Sequence, residues 1–279
     1  MLVFSKSLCD DRASMRMIPK PLIEFTSLLI ALFLLGTAPG FSTDFSKFPE
    51  LLAKIKQSIV GIGTFDPVGV PPYNLLGTGF AVRDGLTIVT CAHVVPIPGD
   101  VPKNGFLAVF SGVGPKAEVR RTNLSRIDDE HDVAILKIGG DPLPVLTVGR
   151  SGPVREGETL AFTGFPIGQI LGLFPVTHRG MVSALTPIVQ PAMRGRQLNS
   201  TVIRQLRAPF NVIQLDGTAY PGNSGGPLYD MSSGEVVGIV NMVFVKERKE
   251  YALTAPSGIS FAIPALYIEQ LLASGARLD

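Results

Sequence analysis

The chain has 279 residues, 46% hydrophobic and 17% charged, enough apolar material for a sizeable core in one domain or two subdomains. A net charge of +2 gives no general electrostatic argument for a nucleic acid or an anionic membrane surface as partner. The 30 glycines and 23 prolines are spread along the chain without a short repeat or low-complexity tract, as a many-stranded, turn-rich protein requires.

In chain order, Arg16 and Lys20 precede an apolar run from Phe25 to Leu35, and small residues follow at Gly36, Ala38 and Gly40. A run of about ten residues suits a secretory signal better than a bilayer-spanning helix, which needs about twenty. Residues 1–40 are therefore expected to be a signal peptide cleaved near Phe41, making the protein exported, periplasmic or secreted. An uncleaved membrane anchor is the competing reading. Cys9 falls in this segment, so the mature chain keeps Cys91 alone and has no internal disulfide. Cys91 is expected to be a small buried apolar residue.

Residues 41–58 read as a helical segment: Phe48, Leu51, Leu52, Ile55 and Ile59 recur at helical spacing, Ser46 can cap, and Pro49 fits the first turn. Strand-like segments then dominate. Ile59–Thr64, Gly79–Val82, Thr87–Thr90, Phe106–Phe110, Ala117–Arg121 and Val133–Ile138 make a first barrel over 59–140, closed by the linker Gly139-Gly140-Asp141-Pro142. A second barrel occupies 141–279, with strands at Thr159–Thr163, Val176–Ser183, Val212–Gln214, Gly226–Tyr229 and Glu235–Val245. Ile263–Ala273 closes the chain as a helix, with Pro264 at its start and Gly275 past its end.

Three segments carry chemistry. Thr90-Cys91-Ala92-His93-Val94-Val95 ends a strand on a histidine, and His131-Asp132-Val133-Ala134-Ile135-Leu136 places an acid before another strand. Gly222-Asn223-Ser224-Gly225-Gly226-Pro227 is a serine in a glycine turn. Such a turn presents a hydroxyl and aims the backbone N–H groups of Gly222 and Ser224 at one point, as an oxyanion hole requires. Taken singly, each has a plain structural reading: a core histidine, a turn aspartate, a glycine-rich turn. The order His, Asp, Ser gives them joint meaning, because nucleophile, base and orienter recur on unrelated folds in different chain orders. His131 is read as structural, and His178, with no evident partner, as a surface residue.

Together with Gly77-Thr78-Gly79-Phe80, Gly164-Phe165-Pro166-Ile167-Gly168, Gly180-Met181-Val182-Ser183-Ala184, Ile213-Gln214-Leu215-Asp216 and Gly258-Ile259-Ser260-Phe261-Ala262-Ile263-Pro264, these segments resemble trypsin-like serine peptidases, most closely the HtrA/DegP group. The resemblance runs from about Ile59 to the end. It implies an all-β, chymotrypsin-like double β-barrel with a short N-terminal and a C-terminal helix. It also implies a serine endopeptidase that cleaves exported or misfolded polypeptides through an acyl-enzyme, without cofactor or metal.

By that resemblance His93 is the base, Asp132 its orienter and Ser224 the nucleophile, with the oxyanion held by the N–H groups of Gly222 and Ser224. Asn223 stands where trypsin-like zymogens carry an aspartate, so activation by a freed N-terminal amine is not expected. The primary pocket falls on Thr218, Ala219, Tyr220, Val240, Asn241 and Met242. These include no acid to neutralise Lys or Arg, so cleavage after small or aliphatic residues is expected. Pro187 to Phe210 holds Arg194, Arg196, Arg204 and Arg207 with no acidic residue, and matches the regulatory loop of HtrA-like proteins. Those proteins form trimers through N-terminal aromatics, for which Phe41, Phe45 and Phe48 are candidates, and usually carry a PDZ domain, which is not expected in the short stretch from Pro264 to Asp279. A catalytically silent, chaperone-like peptide binder on the same fold is the alternative.

Overall fold

The computed structural model describes residues 45–150, 152–187, 210–241 and 258–274. The expected signal peptide, Phe41, Met242 and almost all of the arginine-rich segment lie outside these residues. The described chain forms two closed six-stranded antiparallel barrels flanked by short helices.

Helix α1 (Phe48–Gln57) carries a proline in its first turn and Lys54 and Lys56 in its last, which complements the helix dipole. Its N-cap is Lys47, one residue beyond the expected Ser46, and no side chain bonds there. Phe45, Phe48 and Leu51 are partly buried against the core, and Ile55 is fully packed into it.

The first barrel comprises β1 (Ile59–Phe65), β2 (Tyr73–Val82), β3 (Thr87–Thr90), β4 (Phe106–Ser111), β5 (Glu118–Asp128) and β6 (Val133–Ile138), paired in the order β1-β2-β3-β6-β5-β4. Its strands are rich in β-branched and aromatic residues, whose side chains suit a pleated, packed surface. Ile62, Phe80, Ile88, Val109 and Leu136 are completely buried in it. Two strands run further than composition indicates. The start of β2 at Tyr73 is fixed by pairing with Phe65, and β5 continues through the polar run to Asp128 because β6 pairs with it throughout.

The second barrel comprises β7 (Thr159–Gly164), β8 (Val176–Pro187), β9 (Asn211–Leu215), β10 (Pro227–Asp230), β11 (Val236–Asn241) and β12 (Ser260–Pro264). One helical turn, α2 (Gly168–Leu171), interrupts the β7–β8 connection, and α3 (Ala265–Ala273) follows β12. Leu160, Phe162, Val182, Leu215, Leu228, Val240 and Ala262 fill the interior. Strand β12 corrects the sequence expectation, which began the last helix at Ile263. Ile263 pairs with Ile239, and β12 lies between β11 and β9, so the barrel closes only through it.

Helix α3 packs across both barrels. Its Ile268 and Leu272 are buried, and Arg126 on β5 donates from Nη1 to the carbonyls of Leu271 and Leu272, each at 3.0 Å. Those carbonyls have no partner inside the helix, so the guanidinium serves as its C-terminal cap. Among the described residues no helix is long and apolar enough to cross a membrane.

Candidate active site

Pairing of β3 with β6, with Thr90 opposite Ala134, brings the end of one strand beside the start of the other. His93 follows β3 on a single 3-10 turn (Ala92–Val94), and Asp132 precedes β6 in a turn, with φ of 54°. The histidine thus sits one turn past the strand on which the sequence ended it, while Asp132 stands before its strand as expected. The turn at Asp132 forms because Asp128 Oδ1 accepts from the N–H groups of Glu130 and His131, both at 3.1 Å, which bends the polar run back on itself. Asp132 then grips the histidine twice. Its Oδ2 lies 2.6 Å from His93 Nδ1, and its Oδ1 accepts the His93 backbone N–H at 2.8 Å. A carboxylate on Nδ1 favours the tautomer that leaves Nε2 as the acceptor.

The serine turn comes from the second barrel. Ser224 is 5% exposed, and its carbonyl accepts the Thr78 N–H from β2 at 2.8 Å. Gly77 lies between the two halves: a Cβ there would fall 2.7 Å from Val94, next to His93, and 2.9 Å from the Ser224 carbonyl oxygen. The histidine turn and the serine turn therefore pack around one glycine. Gly222 has φ of 102°, and a Cβ on it would overlap the Phe165 carbonyl oxygen, so glycine is required for conformation and for space. The Pro221 carbonyl accepts the Ile167 N–H at 2.7 Å. In a planar trans peptide the N–H lies opposite the C=O, so the Gly222 N–H faces away from Ile167.

Several neighbours acquire roles that the sequence did not disclose. Asn241, expected to line the substrate pocket, is completely buried and donates from Nδ2 to Asp132 Oδ2 at 2.5 Å. It orients the carboxylate from the opposite barrel. Val240 is fully buried in the second core. Of the other expected pocket residues, Thr218 and Tyr220 are partly exposed, while Ala219 is 4% exposed. The Ala219 N–H donates to Ser260 Oγ at 2.7 Å, and Ser260 in turn donates to the Gly217 carbonyl, pinning this wall to β12.

His131 is structural: its ring stacks on Tyr267 at 3.8 Å, and Nδ1 meets Asp128 Oδ2 at 2.7 Å. His178 is half-buried rather than freely exposed. It stands opposite Phe162 in the β7–β8 pair, stacks on that ring at 5.0 Å, and approaches Tyr220 at 6.0 Å. Burial pushes its pKa down, and its Nε2 is buried without a hydrogen-bond partner among the described residues. The Asn223 carboxamide is likewise fully buried and unpartnered at both Oδ1 and Nδ2 among them.

Cys91, His93 and Asp132 offer donor atoms within 4.8 Å of one another, a spacing open to a metal ion. The chemistry fits poorly. Burial, and then the negative charge of Asp132, push the Cys91 thiol pKa well up, so it stays protonated and bonds the Val240 carbonyl at 3.3 Å. Both carboxylate oxygens and His93 Nδ1 are already engaged.

Two barrels with an imidazole–carboxylate pair beside a glycine-flanked serine define a class, and comparison with known proteins agrees. The family model described as "Trypsin-like peptidase domain" matches residues 77–239, and the chain belongs to that family. It is 34% identical over 189 residues to a probable periplasmic serine endoprotease DegP-like of Halomonas elongata, covering 68% of this chain and 32% of that protein. It is 32% identical over 202 residues to the serine protease HTRA1A of Danio rerio, covering 71% and 34%. The chain thus spans about a third of the length of these relatives. Among solved structures, the active form of the Rv3671c protease from M. tuberculosis superposes with a TM-score of 0.57 at 22% identity, covering 81% of this chain and 85% of that one. That likeness establishes the fold.

Proposed function

We propose that this protein is a serine endopeptidase that hydrolyses peptide bonds of exported or misfolded polypeptides through an acyl-enzyme. The observation carrying this reading is the double grip of Asp132 on His93, beside a buried serine in a glycine turn. His93 Nε2 takes the Ser224 proton as Oγ attacks the carbonyl carbon, and later delivers it to the leaving amine. Asp132 holds the ring and stabilises the transient imidazolium, with Asn241 holding Asp132. The N–H groups of Gly222 and Ser224 receive the oxyanion. Water then releases the acyl group by the same proton path in reverse.

For the residue before the scissile bond we propose a small or medium aliphatic side chain. Thr218, Ala219 and Tyr220 bring no carboxylate to the pocket wall, so a buried Lys or Arg of the substrate would be left unpaired there. The expected export signal and the DegP-like relatives support a location outside the cytoplasm. A fluorophosphonate probe tests the chemistry, since only an activated serine reacts. Covalent label mapping to Ser224 and absent from Ser224→Ala is expected. An unlabelled wild type would instead favour the silent peptide binder.

A further inference from the structure

Thr78 lies on β2 of the first barrel, completely buried, yet most of its polar contacts are with the second. Its N–H donates to the Ser224 carbonyl at 2.8 Å. Its own carbonyl accepts Thr90 Oγ1 at 2.7 Å, which ties it to the strand leading to His93. Its hydroxyl makes two further bonds whose polarity is settled by the partners. The Gly222 carbonyl, 2.6 Å away, can only accept, so the single hydroxyl proton goes there. The Phe165 N–H, 3.0 Å away, can only donate, so an oxygen lone pair receives it.

These bonds surround the peptide groups that form the oxyanion turn. Gly222 contributes its N–H to one peptide and its C=O to the next. The first is held through the Pro221 carbonyl by Ile167, and the second through the Gly222 carbonyl by Thr78. A glycine at φ of 102° has no side chain to resist rotation, so its orientation depends on these anchors and on the Asn223 N–H, which donates to the Tyr220 carbonyl at 2.9 Å within the turn. Of the three, the Thr78 hydroxyl is the one supplied from the opposite barrel. Phe165 and Ile167 belong to the same loop after β7, and Thr78 Oγ1 holds that loop as well. Without the hydroxyl, the buried Phe165 N–H and the partly buried Gly222 carbonyl would both lose this partner, and the turn could rotate to regain one.

We propose that Thr78 is a positioning residue for the oxyanion site, its hydroxyl holding the Gly222 N–H in the aimed orientation from the opposite barrel. This rests on the serine-peptidase reading. Its contribution appears when negative charge develops on the carbonyl oxygen and is small for substrate binding, which separates it from a purely structural role.

The test compares wild type, Thr78→Val, Thr78→Ser and Ser224→Ala on a peptide substrate, with a peptidyl trifluoromethyl ketone as transition-state analogue. Removing one oxyanion donor outright costs about 10²–10³ in rate, and losing its anchor is expected to lower kcat by roughly 10–100-fold. For Thr78→Val, KM should stay within about threefold while affinity for the ketone falls in step with kcat, since both report transition-state stabilisation. Thr78→Ser, which keeps the hydroxyl, should recover most of both. Equal kcat in wild type and Thr78→Val overturns the proposal, as does a loss that Thr78→Ser fails to recover although it folds. A wild type no more active than Ser224→Ala overturns the peptidase reading itself, and this proposal with it.

Discussion

The two barrels share a topology and differ in how they hold reactive groups. In the first, His93 and Asp132 sit one turn beyond strands that pair directly, so sheet register fixes their separation. In the second, Ser224 sits on a turn whose shape depends on glycines and on bonds from Thr78 and Ile167, with the Phe165 N–H holding the Thr78 hydroxyl in turn. Unpaired buried polar atoms follow the same division. Among the described residues the first barrel leaves only Arg126 Nε, whereas the second half leaves Arg150 Nε, His178 Nε2 and both polar atoms of Asn223. A base and its orienter can be built into a sheet once and left alone. A nucleophile with its oxyanion donors needs a backbone that no regular strand supplies, and the surrounding contacts must impose it.

The largest effect is expected where the second barrel's turn is broken directly. Gly222→Ala forces a Cβ onto the Phe165 carbonyl and strains a φ of 102°. Peptidase activity should drop by at least about 10²-fold, in the range for losing an oxyanion donor. Near-normal turnover by this variant would show that the turn is less constrained than its contacts imply.

A smaller effect is expected where the barrels cooperate. Asn241→Leu removes a side-chain donor that the second barrel gives to Asp132 while keeping similar volume. A hydrogen bond to a charged group contributes about 1.5–3 kcal/mol, so kcat should fall by about tenfold or somewhat more. Steady-state kinetics should show little change in KM. An unchanged kcat would mean that the two bonds from His93 orient the carboxylate unaided.

The smallest effect concerns pH. His178 contacts Phe162 and Tyr220, and burial lowers its folded pKa below the usual histidine value of about 6.5. The unfolded chain then binds the proton more readily, so stability is full above that value and declines as pH falls toward the folded pKa. His178→Phe removes this contribution, and its melting temperature should fall less than that of wild type between pH 7 and pH 5. A parallel decline in both proteins would assign acid sensitivity to other groups.

Much of this was legible before any coordinates. The strands around His93 and Asp132 are short β-branched runs with polar breaks, and the serine turn announces itself through its glycines. What the sequence concealed depends on contacts between distant segments. Strand β12 runs into α3 without a break, because Pro264 ends one and caps the other. The partnership of Asn241 with Asp132 spans 109 residues, and that of Ser260 with Ala219 spans 41. His178 looked like a surface residue because its burial follows from facing Phe162, a register invisible in the segment itself.

The most direct measurement is hydrolysis of casein by purified wild type beside Ser224→Ala. Steady proteolysis by the first and none above background by the second, with both folded, is the predicted result. Equal activity in the two, or none in either, would contradict the assignment of Ser224 as the nucleophile of a peptidase.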